Sequence, residues 1–329
     1  MGNIIELKMN KSKAIKILLI IWIPILFALI VRGLFGIDSW QSLFSVMTMT
    51  FLFFLPFGVG ALTIYLSSIE NVKKTHYRFF MPWVPVFGFF ALTIILNVEG
   101  WACWLMILPV FLLAASIGGL VAGHYKLKKA KKEKLYISLL VLLPFFLSPI
   151  EQSIGSIPGQ YKAYTFIDIH SSKEKIWSNV TRVREIKPGE EKGWFTKELG
   201  LPRPIQAELN YEGVGATRKA IFDKGLVFNE TVLSYSPQSC MTFSIKANPY
   251  DIPSTTMDKH IVVGGQYFDV LDGTYQLQQL NDTTCRLNLY SHFKLTTTFN
   301  FYASWWAGWI MKDIQNNILE VIKERSEEK

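Results

Sequence analysis

Long apolar runs occupy most of residues 17–150, and they restrict what this part of the chain can fold into. A hydrocarbon core about 30 Å thick is crossed by about 20 apolar residues in helical form. The runs at 17–35, 43–66, 79–96 and 101–122 reach or approach that length, and a fifth, 135–150, is shorter and contains Pro144 and Pro149. The expectation for residues 1–150 is a membrane α-helical bundle of about five spans. The first run is too long for the apolar core of a signal peptide and is followed by further runs, so it reads as retained. No Asp or Glu interrupts the first four runs, and Arg32, near the end of the first, is expected to snorkel towards headgroups. Ala114, Ala115, Ser116, Gly118 and Gly119 give the fourth run a face of small residues suited to close helix packing.

Charge divides the chain at the same place. Residues 1–150 hold 14 Lys and Arg against 5 Asp and Glu, whereas residues 151–329 hold 20 against 21. The basic excess lies beside apolar runs, where membrane orientation accounts for it, so nucleic acid is not an expected partner. Lys8 to Lys16, Lys73 to Arg78 and Lys126 to Lys134 mark three cytoplasmic sides, and the intervening loops carry Asp38 and Glu99 but no Lys or Arg. The chain is thus expected to be integral to a plasma or inner membrane with its N-terminus cytoplasmic. If 135–150 spans, the C-terminal half is extracytoplasmic; if that run lies in the interface, the half is cytoplasmic.

Residues 151–160 are rich in Ser, Gly and Pro and read as a linker to a soluble domain at 161–329. Strand patterns appear near 161–170, 206–211, 216–223, 226–235, 241–247, 261–270, 273–280 and 284–296, with a tight hairpin turn at Lys224-Gly225. Ser171 and Ser172 can cap a helix at 173–183, and 184–204 reads as loop with short helical pieces. A long helix closes the chain from about 299 to 325; Tyr302, Trp306, Ile310, Ile314, Ile318 and Val321 recur on it at helical spacing, and Trp305, Trp306 and Trp309 crowd its first third.

This order of elements is that of an α+β helix-grip fold. With Ile176-Trp177 in the first helix, Gly213-x-Gly215-x-x-Arg218 entering a strand, Phe222-x-x-Gly225-x-x-Phe228-x-Glu230 across the hairpin, Gly273-x-Tyr275, and Ile322-Lys323-x-Arg325 near the end, residues 161–328 resemble the START/polyketide-cyclase-like (SRPBCC) superfamily. The resemblance implies an antiparallel sheet wrapped on the C-terminal helix and a largely apolar cavity between them that holds a hydrophobic molecule. It implies walls from Tyr302, Trp305, Trp306 and Trp309 on the helix, and from some of Phe228, Phe243, Tyr267 and Tyr290 on the strands. The competing expectation is that these aromatics simply fill the core.

Arg218 and Glu230 face each other across the expected hairpin, where they could anchor a ligand; a cross-strand ion pair is the plainer reading. His260 and His292 have neither the spacing nor the local carboxylates of a metal site, though either could meet Glu230 or Asp269 in space and move a proton. Cys103, Cys240 and Cys285 form no C-x-x-C spacing, and pairing of Cys240 with Cys285 stays open. No phosphate loop, dinucleotide motif or nucleophile elbow is present, so no catalytic residue, metal or cofactor is assigned. The expected function is a membrane-tethered binding module for a hydrophobic or lipid-like small molecule, with the bilayer and that molecule as its partners. A cyclase- or hydrolase-like enzyme on the same fold is the alternative, as is a regulatory domain of a membrane bundle.

Overall fold

A computed structural model describes residues 2–128, 133–187, 189–247 and 262–328, and the chain divides into two compact units, Met1–Ser156 and Ile157–Lys329. The first unit is helical: α1 (Gly2–Phe35), a π-helical turn (Thr50–Phe54) leading into α2 (Leu55–Leu66), the short α3 (Ile69–Val72) and α4 (Thr75–Phe80), then α5 (Trp83–Ile95), α6 (Trp101–Leu127) and α7 (Glu133–Ile154). Three stretches, Ala14–Phe35, Thr75–Ile95 and Trp101–Leu127, are long and apolar enough to cross a membrane, while Thr50–Leu66 and Ser138–Ile154 are shorter. The second expected run loses its first part because residues 43–48 are turns and irregular chain.

Two further expectations change in this unit. Arg32 does not snorkel: it forms an ion pair with Glu99, both side chains being buried, since opposite charges in an apolar setting do better together than alone. Glu151, expected in a linker, lies in α7, and its carboxylate accepts hydrogen bonds from the backbone N–H groups of Met49 (2.7 Å) and Thr50 (2.8 Å). An anion there satisfies donors that a helix start leaves open. The small-residue face does pack closely: a Cβ at Gly118 would overlap the Phe57 carbonyl, and one at Gly60 the Ala115 carbonyl.

The second unit contains β1 (Gly159–Ile169), α8 (Lys173–Thr181), β2 (Arg182–Val183), α9 (Phe195–Glu198), β3 (Pro204–Leu209), β4 (Thr217–Phe222), β5 (Val227–Ser236), β6 (Cys240–Ala247), β7 (Phe268–Asn281), β8 (Thr284–Leu295) and α10 (Asn300–Glu327). The strands form one sheet in the order β1-β8-β7-β6-β5-β4-β3-β2, with every neighbouring pair antiparallel. One face of this sheet packs against α10, which is the helix-grip arrangement. The expected linker is shorter than 151–160, because α7 continues to Ile154 and β1 begins at Gly159. Of the strand expected at 261–270, residues 262–267 are turns and bends with one isolated bridge at Val263, residue 261 lies outside the described residues, and only 268–270 are strand. Those three residues join the strand expected at 273–280 in β7 across a bulge between Val270 and Asp272; a bulge keeps pairing while adding a residue, so the sequence pattern breaks and the ladder does not.

Local chemistry explains the connections. Lys224 (φ 57°, ψ 20°) and Gly225 (φ 85°) both take the left-handed conformation that a tight hairpin requires, and the Phe222 N–H donates to the Leu226 carbonyl at 2.9 Å. Ser172 caps α8 by accepting from the Lys175 N–H. The segment before β3 is tied to α10: Asp313 accepts from the Thr196 N–H (2.8 Å) and hydroxyl (2.7 Å), and Asn317 from the Lys192 N–H (2.8 Å). Cys240 and Cys285 lie on β6 and β8 with β7 between them, about 10 Å apart across the sheet at normal strand spacing and offset further along it, since Cys240 is level with Asn288. That is too far for a disulfide, and all three cysteines are free.

Candidate functional site

The alternation of each strand decides what faces α10. On β4, Arg218, Ala220 and Phe222 point inward; on β5, Phe228, Glu230 and Val232; on β8, Leu287, Leu289, Ser291 and Phe293. The side chains do not fill all of this space. A cavity of about 120 Å³ remains between sheet and helix. Phe228, Phe243, Ile245, Val270 and Leu289 form much of its sheet wall, and Ile310, Met311, Ile314 and Ile318 its helix wall. Gly273 lies against the Phe243 ring, and a Cβ at that position would come within 2.5 Å of it, so the ring would have to shift.

Two polar groups interrupt the apolar lining. The first is Arg218 and Glu230, directly opposite in the β4–β5 register and joined through the Arg218 Nε–H. Both side chains are at least 95 % buried, at 4 % and 5 % exposed. Arg218 also donates to the Val180 carbonyl (3.4 Å), and its guanidinium lies 4.4 Å from the Phe243 ring centre and 5.7 Å from that of Tyr275. Burial pushes the Glu230 carboxyl above the ordinary carboxylate range, against the pull of Arg218. Burial likewise raises the Tyr275 hydroxyl, which Arg218 draws back.

The second polar group is centred on Gln315 of α10. Its amide Nε2 donates to Ser291 Oγ (2.9 Å), and its Oε1 accepts from Thr165 Oγ1 (3.1 Å), which fastens the helix to β8 and β1. Ser291 and Gln315 both line the cavity. The site therefore presents an apolar chamber with a charged but internally neutralised pair at one place and a hydroxyl–amide pair at another. Such a chamber can accept a small apolar molecule and orient it by a single polar substituent.

Of the expected site residues, the fold brings Arg218, Phe228, Glu230 and Phe243 together in the cavity wall. The others are elsewhere. Tyr290 and His292 have the opposite pleat parity from Ser291 and lie on the outer face of β8: Tyr290 stacks on Tyr164 with ring centres 4.8 Å apart, and His292 Nδ1 is 2.7 Å from Asp272 Oδ1. Tyr267 precedes β7, where its carbonyl accepts from the Thr296 N–H at 2.9 Å, and it is the neighbouring Phe268 that reaches the cavity. His260 lies outside the described residues.

The aromatic residues of α10 are corrected most. Trp305 and Trp309 are 72 % and 59 % exposed, because they sit about 120° and 160° around the helix from the inward-facing Met311 at 3.6 residues per turn. Trp306 stacks on Phe195 (6.4 Å), and half-buried Tyr302 is likewise no part of the cavity wall. Sequence reasoning passed over Ser291 and Gln315, although each is a polar residue at an inward position of an otherwise apolar stripe. Among the described residues, no group of three His, Cys, Asp or Glu converges as a metal site would need.

Neither a family model nor a curated protein sequence matches the chain. Among solved structures, its C-terminal half is similar to truncated norcoclaurine synthase from Thalictrum flavum, at 13 % identity and a TM-score of 0.32, covering 52 % of this chain and 97 % of that one. It is similar also to the Zhui aromatase/cyclase from Streptomyces sp. R1128, at 12 % identity and a TM-score of 0.32, covering 51 % and 94 %. A conserved protein from Geobacillus kaustophilus gives 13 % identity and a TM-score of 0.31, covering 50 % and 93 %. At these scores, the chemistry has to be read from this chain's own residues.

Proposed function

We propose that the N-terminal helices anchor this chain in a membrane, in about five spans, and that the C-terminal domain holds a small apolar molecule in the cavity between its sheet and α10. The observation that carries the second part is the unfilled space beside a buried ion pair. A dry apolar cavity of about 150 Å³ takes up benzene, so the cavity here, at about 120 Å³, suits a ligand near the size of one ring, well short of a whole phospholipid. Arg218 and the Ser291–Gln315 pair supply hydrogen-bond donors for a carbonyl, carboxyl or hydroxyl on such a molecule. The positive loops favour a cytoplasmic N-terminus, and an extracytoplasmic position for the domain if α7 spans.

The burial of Glu230 favours a second reading. A carboxyl raised by burial and facing a largely apolar chamber is suited to proton transfer, as an acid–base enzyme of the cyclase or hydrolase kind would require. Glu230 is paired with Arg218, so proton transfer to a ligand would first require Arg218 to be drawn away.

Substituting Ala220, which lines the cavity, distinguishes occupancy from background. Full-length wild-type and Ala220→Leu proteins are purified in the same detergent, and their solvent extracts are compared by mass spectrometry. One or more small apolar compounds enriched with the wild type and lost with the variant support the binding reading. Identical extracts from two equally folded proteins contradict it.

A further inference from the structure

The aromatic side chains that leave the cavity form a surface of their own. Phe301, Trp305 and Trp309 recur every four residues along α10 and are 58 %, 72 % and 59 % exposed. Trp194 continues the patch at 70 % exposed, through Phe195, which contacts both Trp306 and Trp309 (ring centres 6.4 Å and 6.1 Å). From Asn300 to Met311 the helix carries no charged side chain, and Lys312 ends that run. Soluble domains seldom leave so much contiguous aromatic surface in water without an occupant.

The position of the patch indicates the occupant. The Asn300 side-chain amide donates to the Ile157 carbonyl at 2.9 Å, so α10 starts beside the point where the chain comes into the domain. Ile157 is itself 83 % exposed. Only residues 155–158 separate the end of α7 from β1, a reach of under about 18 Å for fully extended chain. A domain held that closely to a membrane-anchored segment samples the bilayer surface continuously. Tryptophan is the side chain best suited to that depth, its ring entering the acyl boundary while its N–H stays at headgroup level. An uncharged aromatic stripe ended by a lysine is the pattern of a helix lying in the interface, with the ammonium among phosphates.

We propose that Phe301, Trp305 and Trp309 of α10, with Trp194, dock the C-terminal domain onto the phospholipid headgroup layer of the membrane that anchors the chain. The proposal rests on the membrane anchoring proposed above and is independent of what the cavity binds. Docking by this face would fix α10, and with it the helix wall of the cavity, against the lipid surface.

A photo-crosslinking amino acid, benzoylphenylalanine, is placed at residue 305 of the full chain, and in a second variant at Leu233, which is 56 % exposed on the outer face of β5. Both proteins are reconstituted in vesicles of phosphatidylcholine and phosphatidylglycerol, washed with alkaline carbonate, and irradiated. The expected result is retention through the wash and a mass increase of one phospholipid on the peptide containing residue 305, absent from that containing 233. Retention with no lipid adduct at 305, with equal adducts at both positions, or with cross-links from 305 to a second copy overturns the docking face and leaves anchoring intact. Loss of the protein in the wash overturns anchoring and the docking face with it.

Discussion

At the residue scale, the Arg218–Glu230 pair shows what was readable and what was not. Its pairing follows from the hairpin, because Lys224-Gly225 sets a register in which 218 and 230 are opposite. Its burial was equally present in the pattern, since Arg218-x-Ala220-x-Phe222 and Phe228-x-Glu230-x-Val232 place both charges on the apolar side of the pleat. The same parity separates Ser291, facing inward, from Tyr290 and His292, facing outward; Phe228 and Phe243 were correctly expected in the wall, whereas Tyr290 and His292 were expected there without counting parity. Removing one partner leaves a buried charge uncompensated. Arg218→Met should therefore cost about 3–5 kcal/mol, whereas Arg218→Met with Glu230→Leu should recover most of that loss. Thermal unfolding of the full chain in detergent, with amide exchange in β4 and β5, measures both; equal destabilisation by the single and double variants would contradict a paired site.

At the element scale, β1, β3 to β6, β8, the capped α8, the hairpin and the long final helix were legible because each follows from local periodicity or turn chemistry, whereas the two-residue β2 and the start of β7 were not. The orientation of α10 was not. Its apolar residues extend nearly round the helix in the first third, so periodicity alone selects no inward side there. The side is chosen further along, where Met311, Ile314, Gln315 and Ile318 meet the sheet. The C-terminal end of α10 is fixed by Arg325, which donates to the Arg184 carbonyl (2.9 Å), the Glu185 carbonyl (2.7 Å) and Glu190 (2.8 Å). The hydrogen bond from Arg325, helped by the Lys187 N–H, holds the Glu190 carboxyl below the usual carboxylate range. A folded-state pKa below the unfolded one contributes stability that is present above the unfolded value, about 4.3 for Glu, and is lost as pH falls through the folded value. Glu190→Gln should thus lower the unfolding temperature near neutral pH and reduce its further drop on acidification. An unchanged acid dependence would show that Arg325 does not act through Glu190.

At the scale of the whole molecule, apolar run length and charge balance change near residue 150, close to the boundary between the two compact units at Ser156 and Ile157. The lengths of the apolar helices were less legible. Hydropathy counts residues, and it does not show that 43–48 turn instead of extending α2, or that α7 runs on through Glu151. On the proposed anchoring, the compartment of the C-terminal domain depends on whether α7 spans. In intact cells, an impermeant maleimide should label Glu328→Cys above the level of the unsubstituted protein; labelling only after lysis would place the domain in the cytoplasm.

The proposed binding of a small apolar molecule requires unfilled space between the sheet and α10. Xenon enters dry apolar cavities and scatters strongly, so crystals of the full chain pressurised with the gas test this without knowledge of the natural ligand. A xenon site bounded by Phe228, Phe243, Val270, Met311 and Ile314, absent in Ala220→Leu, is the expected result. Full occupancy of that space by protein side chains, with no xenon bound there, would contradict it.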